Sequence, residues 1–274
     1  MRSFFLFTVC LLMLACYSCS DKGKTQETIL GSGNAPSLAT DQDGHLHLVY
    51  NRGDSILYAF SSDKGKSFSA PSLVTVLPGL ASINSRGTQI AVSGQGLTVI
   101  AAAKGGNIFS FVKNGSGDWK KAGRVNDRDS SAPECLAALG GDGNNLYATW
   151  IDLRDGYNRI YGAASSDGGE SWSKNVLIYA SPDSMICPCC RPSVAVKGNQ
   201  VFVMFRNLVN GCRDLYFTRS TDAGRKFDAS VKLGNGSWKL NGCPMDGGGL
   251  MIDENGTLQT VWRRRDTIYT CEPG

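Results

Sequence analysis

Apolar and polar positions alternate in short runs along most of the chain, and each run is cut off by a glycine- or asparagine-rich turn, the pattern of half-buried strands joined by tight connections. The runs fall into five similar units. Each opens on a short strand (SLAT, QIAVS, CLAAL, SVAVK, GLMID), turns through a polar stretch (DQDGH, GQG, GDGNN, KGNQ, DENG) and enters a second strand of aromatic and branched residues (LHLVY, LTVIAAA, LYATW, VFVMF, LQTVW). A variable polar loop leads to a third strand (ILYAF, IFSFV, RIYGAAS, LYFTRS, TIYTC), and a recurring eight-residue motif turns the chain into a fourth. The whole reads as all-β.

The motif is SSDKGKSF at 61–68, SSDGGESW at 165–172 and STDAGRKF at 220–227, with a degenerate copy, VKNGSGDW, at 112–119. The starts at 61, 112, 165 and 220 are 51, 53 and 55 residues apart, the length of one four-stranded propeller blade. Each conserved type of residue has a physical task in such a turn. The aspartate accepts backbone N–H bonds, the glycine supplies a positive φ without steric cost, and the aromatic packs between neighbouring hairpins. The motif is therefore expected to clasp turns, with its aspartate bound to backbone and not acting as a catalytic acid.

These residues resemble the Asp box, or BNR repeat, of the sialidase superfamily of β-propellers. The resemblance implies a sialidase-like β-propeller of four-stranded blades over residues 28–274, with five blades visible in sequence. The fifth unit stops at CEPG, before its motif and fourth strand. Either ETILG at 27–31 supplies that strand, or the ring is six-bladed and a C-terminal piece is missing; the usual length of such units favours the second.

Composition adds a compartment. The 274 residues are 42% hydrophobic and 19% charged, ordinary for a globular chain, and 33 glycines fit a chain full of turns. A net charge of +4 without a basic block gives no reason to expect nucleic acid. Arg2 precedes the apolar run FFLFTVCLLMLA, which is too short to span a bilayer. With the following CYSCSDKGK it resembles a bacterial lipoprotein signal: residues 1–18 as signal peptide, Cys19 as the lipidated residue and 19–27 as a tether. Cys16 is the other candidate for lipidation, and a cleaved signal with a freely secreted protein is the alternative. The mature protein is expected in the bacterial cell envelope, held to the membrane by its lipid and monomeric.

Because strands alternate in direction, the Asp-box turns share one face with the first short turns, and the long loops and blade-to-blade connections share the other. That second rim collects Arg86, Glu134, Asp152, Arg154, Asp155, Arg191, Arg206, Asn207, Asp246 and Arg263. Long loops on a rigid scaffold are where a site is expected. Sialidases grip a sugar carboxylate with three arginines and use a tyrosine nucleophile with a glutamate partner and an aspartate acid/base. By that resemblance Asp152, Asp246 and Glu134 are the candidate catalytic acids, and Arg86, Arg154, Arg191, Arg206, Asn207 and Arg263 the candidate substrate-binding groups. The sequence departs from the pattern in lacking a FRIP stretch and in offering only Tyr157 as an obvious rim tyrosine. The longer run from CPCCRPSVAV to GSWKLNGCPMDGGG resembles exported bacterial BNR proteins labelled sialidase-like or exo-sialidase.

Six cysteines, Cys135, Cys187, Cys189, Cys190, Cys212 and Cys243, also fall in rim loops. In an oxidising compartment they read as disulfide staples; the functional alternative is a soft-metal site for copper or zinc, with thiolates converging from blades three, four and five. DQDG at 41–44 reads as a hairpin turn, since further oxygen ligands for calcium are absent. No cofactor is required. Three functions remain open on sequence: a glycosidase acting on acidic glycans, a binding propeller without turnover, and a protein that handles copper or zinc through cysteine.

Overall fold

The computed structural model describes residues 27, 29–83, 85–94, 96–183, 185–253 and 255–273. The expected signal peptide, Cys19 and all but the last residue of the tether lie outside them. The propeller occupies Gly31–Gly274. Its first blade is β1 (Asn34–Thr40), β2 (Leu46–Arg52), β3 (Ser55–Ser61) and β4 (Ser72–Val76); its second is β5 (Gln89–Ser93), β6 (Gly96–Ala103), β7 (Asn107–Asn114) and β8 (Lys120–Arg124). The third is β9 (Ala137–Asp142), β10 (Asn145–Asp152), β11 (Arg159–Ser165) and β12 (Val176–Tyr179), and the fourth is β13 (Ser193–Lys197), β14 (Gln200–Arg206), β15 (Leu215–Ser220) and β16 (Val231–Lys232). The fifth has three strands, β17 (Gly249–Ile252), β18 (Leu258–Arg264) and β19 (Thr267–Cys271). Each sheet pairs antiparallel in chain order. Residues 27 and 29–33, the described part of ETILG among them, form no strand.

The core lies between blades, which explains why the second strands are apolar on both faces. Along β14, Val201, Val203 and Phe205 pack towards Tyr147 and Ile160 of the third blade, while Met204 packs with Trp262 of the fifth. Similar layers join the first blade to the second through Val49, Ile56, Val99 and Phe111, and the second to the third through Ile100, Ile108, Trp150 and Ala163. Each fully buried side chain of this kind contributes about 1.5–3 kcal/mol of hydrophobic stabilisation. The innermost strands are neighbours in the order β1, β5, β9, β13, β17. At the two ends of that row Leu38 on β1 and Met251 on β17 are more than half exposed.

The three full Asp boxes repeat one hydrogen-bonding scheme. Ser61, Ser165 and Ser220 donate their hydroxyls to Asp63, Asp167 and Asp222 at 2.7–2.8 Å, and accept the N–H of Gly65, Gly169 and Gly224 at 2.8–2.9 Å. The aspartates in turn accept the N–H of Ser67, Ser171 and Lys226 at 2.9–3.0 Å. Hydrogen bonds from Ser67 and Ser61 hold the Asp63 carboxyl at about 2. The glycines have φ of 86°, 87° and 80°, left-handed values that favour a residue without Cβ.

The boxes also dock on the preceding blade. Phe227 meets Tyr147 edge-on at 5.8 Å, Trp119 of the degenerate box meets Tyr58 at 5.6 Å, and Trp172 packs against the layer between blades two and three. A Cβ on Gly224 would fall 2.0 Å from the Tyr147 ring, and one on Gly169 2.4 Å from Thr98. The expected turn clasp is thus also a fastener between blades.

Candidate functional site

On the opposite rim, most of the expected charges turn out to join neighbouring blades. Asp152, at the end of β10, is fully buried and accepts hydrogen bonds from Trp150 Nε1 (2.8 Å), Ser131 Oγ (2.7 Å), Arg154 N (2.9 Å) and Arg154 Nε (2.9 Å). Burial opposes its charge, but these bonds outweigh it and hold the carboxyl below the ordinary aspartate value. Arg154 reaches on to Asp127 (3.1 Å) and Asn175 (2.8 Å), with its guanidinium stacked 4.0 Å over Tyr161. Expected as a catalytic acid, Asp152 is inaccessible: it is a structural carboxylate, and Arg154 is its partner, not a free substrate clamp.

Asp246 has the same kind of commitment between blades four and five. Its two carboxylate oxygens accept from Arg206 Nη2 (2.5 Å) and Arg263 Nε (2.7 Å), and its carbonyl accepts from Arg206 Nε at 3.1 Å. Arg206 is 1% exposed, and both guanidinia lie over Trp238, at 5.5 and 5.1 Å. Asn207 is buried and donates to the Tyr179 hydroxyl at 2.7 Å, tying blade four to blade three. Arg86 Nη2 reaches Glu134 Oε2 at 3.0 Å and its Nε reaches the Glu134 carbonyl at 2.7 Å, joining the connections that open blades two and three. Asp155 pairs with Arg159 on the surface at 2.9 Å. Sequence reasoning missed Tyr179 and Trp238, because aromatic residues at the end of a strand and in a connection read as packing. Tyr157, the expected rim tyrosine, is more than half exposed.

Arg191 is different. It is half-buried two residues before β13, and among the described residues it has neither an ion pair nor a side-chain hydrogen bond. Burial alone acts on its guanidinium, pushing its pKa down. The backbone of Gly247 crosses Arg191 so closely that a Cβ there would lie 1.8 Å from the Arg191 carbonyl, so this cation sits where the fourth and fifth blades open.

Beside it lie the sulfurs. A bridge between Ile186 and Asn207, and the Cys187 N–H bond to the Arg206 carbonyl at 3.1 Å, lay the CPCC loop along the end of β14. There Cys187, Cys189 and Cys190 are all buried, with Sγ separations of 3.5, 3.3 and 3.8 Å. Cys189 is joined to Cys243 of the next connection as a disulfide. The Cys190 thiol donates to Cys187 and Arg213 Nη1 lies 3.0 Å from its sulfur; both hold the Cys187 thiol below its ordinary pKa, while that same bond and burial push Cys190 up. Cys135 and Cys212 stand apart from this group. Cys135 is buried with its thiol 3.3 Å from the Ala103 carbonyl, and burial pushes its pKa up; Cys212 is half-buried and its backbone bridges Val209 and Lys239. The expected convergence of cysteines from three blades is therefore a convergence from the two connections that open blades four and five.

Two cavities, of about 970 and 450 Å3, open on the other, Asp-box face. The larger is lined by Asp41, His47, Tyr58 and Asp142, whose polar groups are already engaged. Asp41 Oδ2 accepts from His45 Nδ1 at 2.9 Å and faces His47 Nε2 at 3.3 Å, and His47 Nδ1 meets the Tyr58 hydroxyl at 2.9 Å. Burial opposes the charge of Asp41, but hydrogen bonds from the backbone and ring of His45 and from His47 hold its pKa at about 2. Asp142 accepts the Gly198 N–H at 2.8 Å. DQDG is thus a self-capped hairpin turn. The larger space is a mouth between turns, with the exposed Asp43 and the Lys113 side chain also at its edge.

Five antiparallel sheets in propeller order, tied on one face by Asp-box turns and with long connections gathered on the other, define a β-propeller. No protein-family model and no curated protein matches the chain. Among solved structures it is similar to the α-L-arabinofuranosidase arb93a of Fusarium graminearum in complex with an iminosugar inhibitor, with a TM-score of 0.58 and 15% identity over 88% of this chain and 77% of that one. It is also similar to a mutant NanB sialidase from Streptococcus pneumoniae (TM-score 0.52, 16% identity, 79% of this chain) and to a leech intramolecular trans-sialidase (TM-score 0.53, 13% identity, 80% of this chain). This chain spans 34% and 36% of those two. At such identities the likeness is one of fold.

Proposed function

We propose that this propeller binds an acidic glycan, with Arg191 taking the ligand's carboxylate, and does so without cleaving it. The observation that carries the reading is the guanidinium of Arg191, without an ion pair or side-chain hydrogen bond among the described residues, on a rim where Arg86, Arg154, Arg206 and Arg263 are each ion-paired. A partly buried charge without a partner is costly, and a planar carboxylate satisfies a guanidinium with two parallel hydrogen bonds. The named activities of the fold neighbours, on sialic acid and arabinose glycosides, make a sugar the natural bearer of that carboxylate. Binding is favoured over hydrolysis because glycoside cleavage ordinarily needs two available carboxyl groups. Asp152 is sealed, and both oxygens of Asp246 are taken.

Hydrolysis remains a second reading on one observation: Glu134 keeps one carboxylate oxygen clear of Arg86, with its side chain 30% exposed. The same proposal places the protein in the bacterial envelope, lipid-anchored through Cys19 and monomeric. The test is calorimetric titration of the purified protein with sialylated and uronic-acid oligosaccharides beside neutral ones, together with an assay for released sugar. Binding confined to the acidic sugars, weakened about tenfold or more in Arg191→Ala and without release of sugar, is expected. Equal affinity for neutral sugars contradicts the proposal. Sugar release abolished by Glu134→Gln would establish the second reading.

A further inference from the structure

We infer that Cys187, Cys189, Cys190 and Cys243, once reduced, form a binding site for a single thiophilic metal ion, with Cu(I) the ion they suit best. This goes beyond glycan binding and does not depend on it. Four thiolates around one ion, each about 2.3 Å from it in a tetrahedron, stand about 3.8 Å from one another. The three sulfurs of the CPCC loop are already 3.3, 3.5 and 3.8 Å apart, and the fourth is bonded to one of them, so convergence on a common centre asks for shifts of tenths of an ångström within the loop and the opening of one bond.

Packing alone does not account for the group. Buried cysteines usually sit among aliphatic side chains as small apolar residues, whereas these three form a buried cluster made only of cysteine. The placement also answers the charge that thiolates would bring. Arg213 Nη1 lies 3.0 Å from the Cys187 sulfur, Arg206 is buried against the same loop, and Arg213 is itself held by the Leu240 carbonyl at 3.3 Å. The cations are fixed before any ion arrives.

One feature favours copper over zinc. The Sδ of Met245 lies 3.5 Å from Cys243 Sγ, adding a thioether, and thioether with thiolate is a donor set suited to Cu(I). Among the described residues no histidine and no carboxylate side chain joins the cluster of three, so its donors are soft throughout; such a thiolate set also serves zinc, and the thioether is what tips it to Cu(I). Cys243 and Met245 are exposed while the CPCC sulfurs are buried, which makes a path of soft donors from the surface inwards.

The disulfide has to open first. A dithiol reductant supplies two electrons and two protons: the Cys189–Cys243 S–S bond breaks, each sulfur becomes a thiol, and the reductant closes its own disulfide. Each cysteine that then binds the ion releases its proton. The oxidised protein is therefore the closed form of the site.

The experiment is a Cu(I) titration of the full chain against a chromophoric Cu(I) chelator, without oxygen, after dithiol reduction and desalting. X-ray absorption at the copper edge is recorded on the loaded protein. Expected are one equivalent of copper per chain, a shell of sulfur only, and affinity lowered more than about 100-fold in Cys187→Ser/Cys190→Ser, beyond the range typical of changes outside the ligand shell. Cys135→Ser should bind as the parent does. Met245→Leu, a surface change that leaves the buried sulfurs in place, should weaken binding measurably and guards against a double variant that fails to fold. Nitrogen or oxygen in the shell, uptake unchanged by the cysteine variant, or equal uptake by the oxidised protein would overturn the site. Zn(II) displacing bound Cu(I) at equal concentration would overturn the choice of ion.

Discussion

The two faces of the propeller hold their blades together in different ways. On the Asp-box face one solution is used three times, serine, aspartate and glycine in the same hydrogen bonds, and Trp172 and Phe227 of the later two boxes lodge against the previous blade. On the rim face every junction is solved once. Thr88 donates to Asn51 at 2.6 Å between blades one and two, Arg86 pairs with Glu134 between two and three, Asn207 meets Tyr179 between three and four, and Asp246 holds two arginines between four and five. Repetition marks scaffold, but singularity does not mark a site. Subtracting the unique ties leaves, among the described rim groups, Arg191, the sulfur cluster and one carboxylate oxygen of Glu134.

The largest break in this comparison is expected at Asp152. Asp152→Ala strands Arg154 and the Trp150 N–H inside the protein, and a broken buried pair of this kind costs about 3–5 kcal/mol, seen as a lowered midpoint in urea unfolding. Gly224→Ala attacks the other face. The left-handed φ and the collision with Tyr147 should cost about 2 kcal/mol, and Phe227, packed on the same ring, should become more accessible to quenchers. If Gly224→Ala proves the more damaging, the rim ties are weaker than their geometry suggests.

Acid should loosen both faces. Asp41, Asp63, Asp152, Asp167 and Asp222 all have pKa values depressed by the fold, so the unfolded chain takes up their protons more readily than the folded one. The stability they provide is complete above the unfolded aspartate value of about 4 and is lost as pH falls through the folded values towards about 2. Urea midpoints measured from pH 7 downwards should be flat until about pH 4 and then fall; a protein whose midpoint is unchanged at pH 3 would contradict these assignments.

The fold was legible because its signals are local and repeated: strand alternation, turn residues and an Asp box that returns at a nearly constant interval. The sorting of residues between faces was legible too, since it follows from strand direction alone. What the chain did not disclose was partnership. Asp152, Asp246 and Arg206 look in sequence like any polar loop residues, and only contacts between positions tens of residues apart show that they are spent on one another, as with Arg206 and Asp246. The same long-range contacts divide six rim cysteines into a group of four and two that stand alone. Arg191 carries no signal in the sequence that separates it from its neighbours; its distinction is the absence of a side-chain partner among the described residues.

The smallest effect expected on folding is also the sharpest test of the account. Arg154→Ala and Arg191→Ala remove the same side chain from the same rim, one paired and one unpaired. Measured side by side in urea unfolding and in titration with an acidic oligosaccharide, Arg191→Ala should unfold within about 0.5 kcal/mol of the parent and lose the ligand. Arg191→Ala that unfolds as readily as Arg154→Ala, or that still binds the acidic sugar as the parent does, would show that the unpaired arginine is one more strut and that the ligand site lies elsewhere.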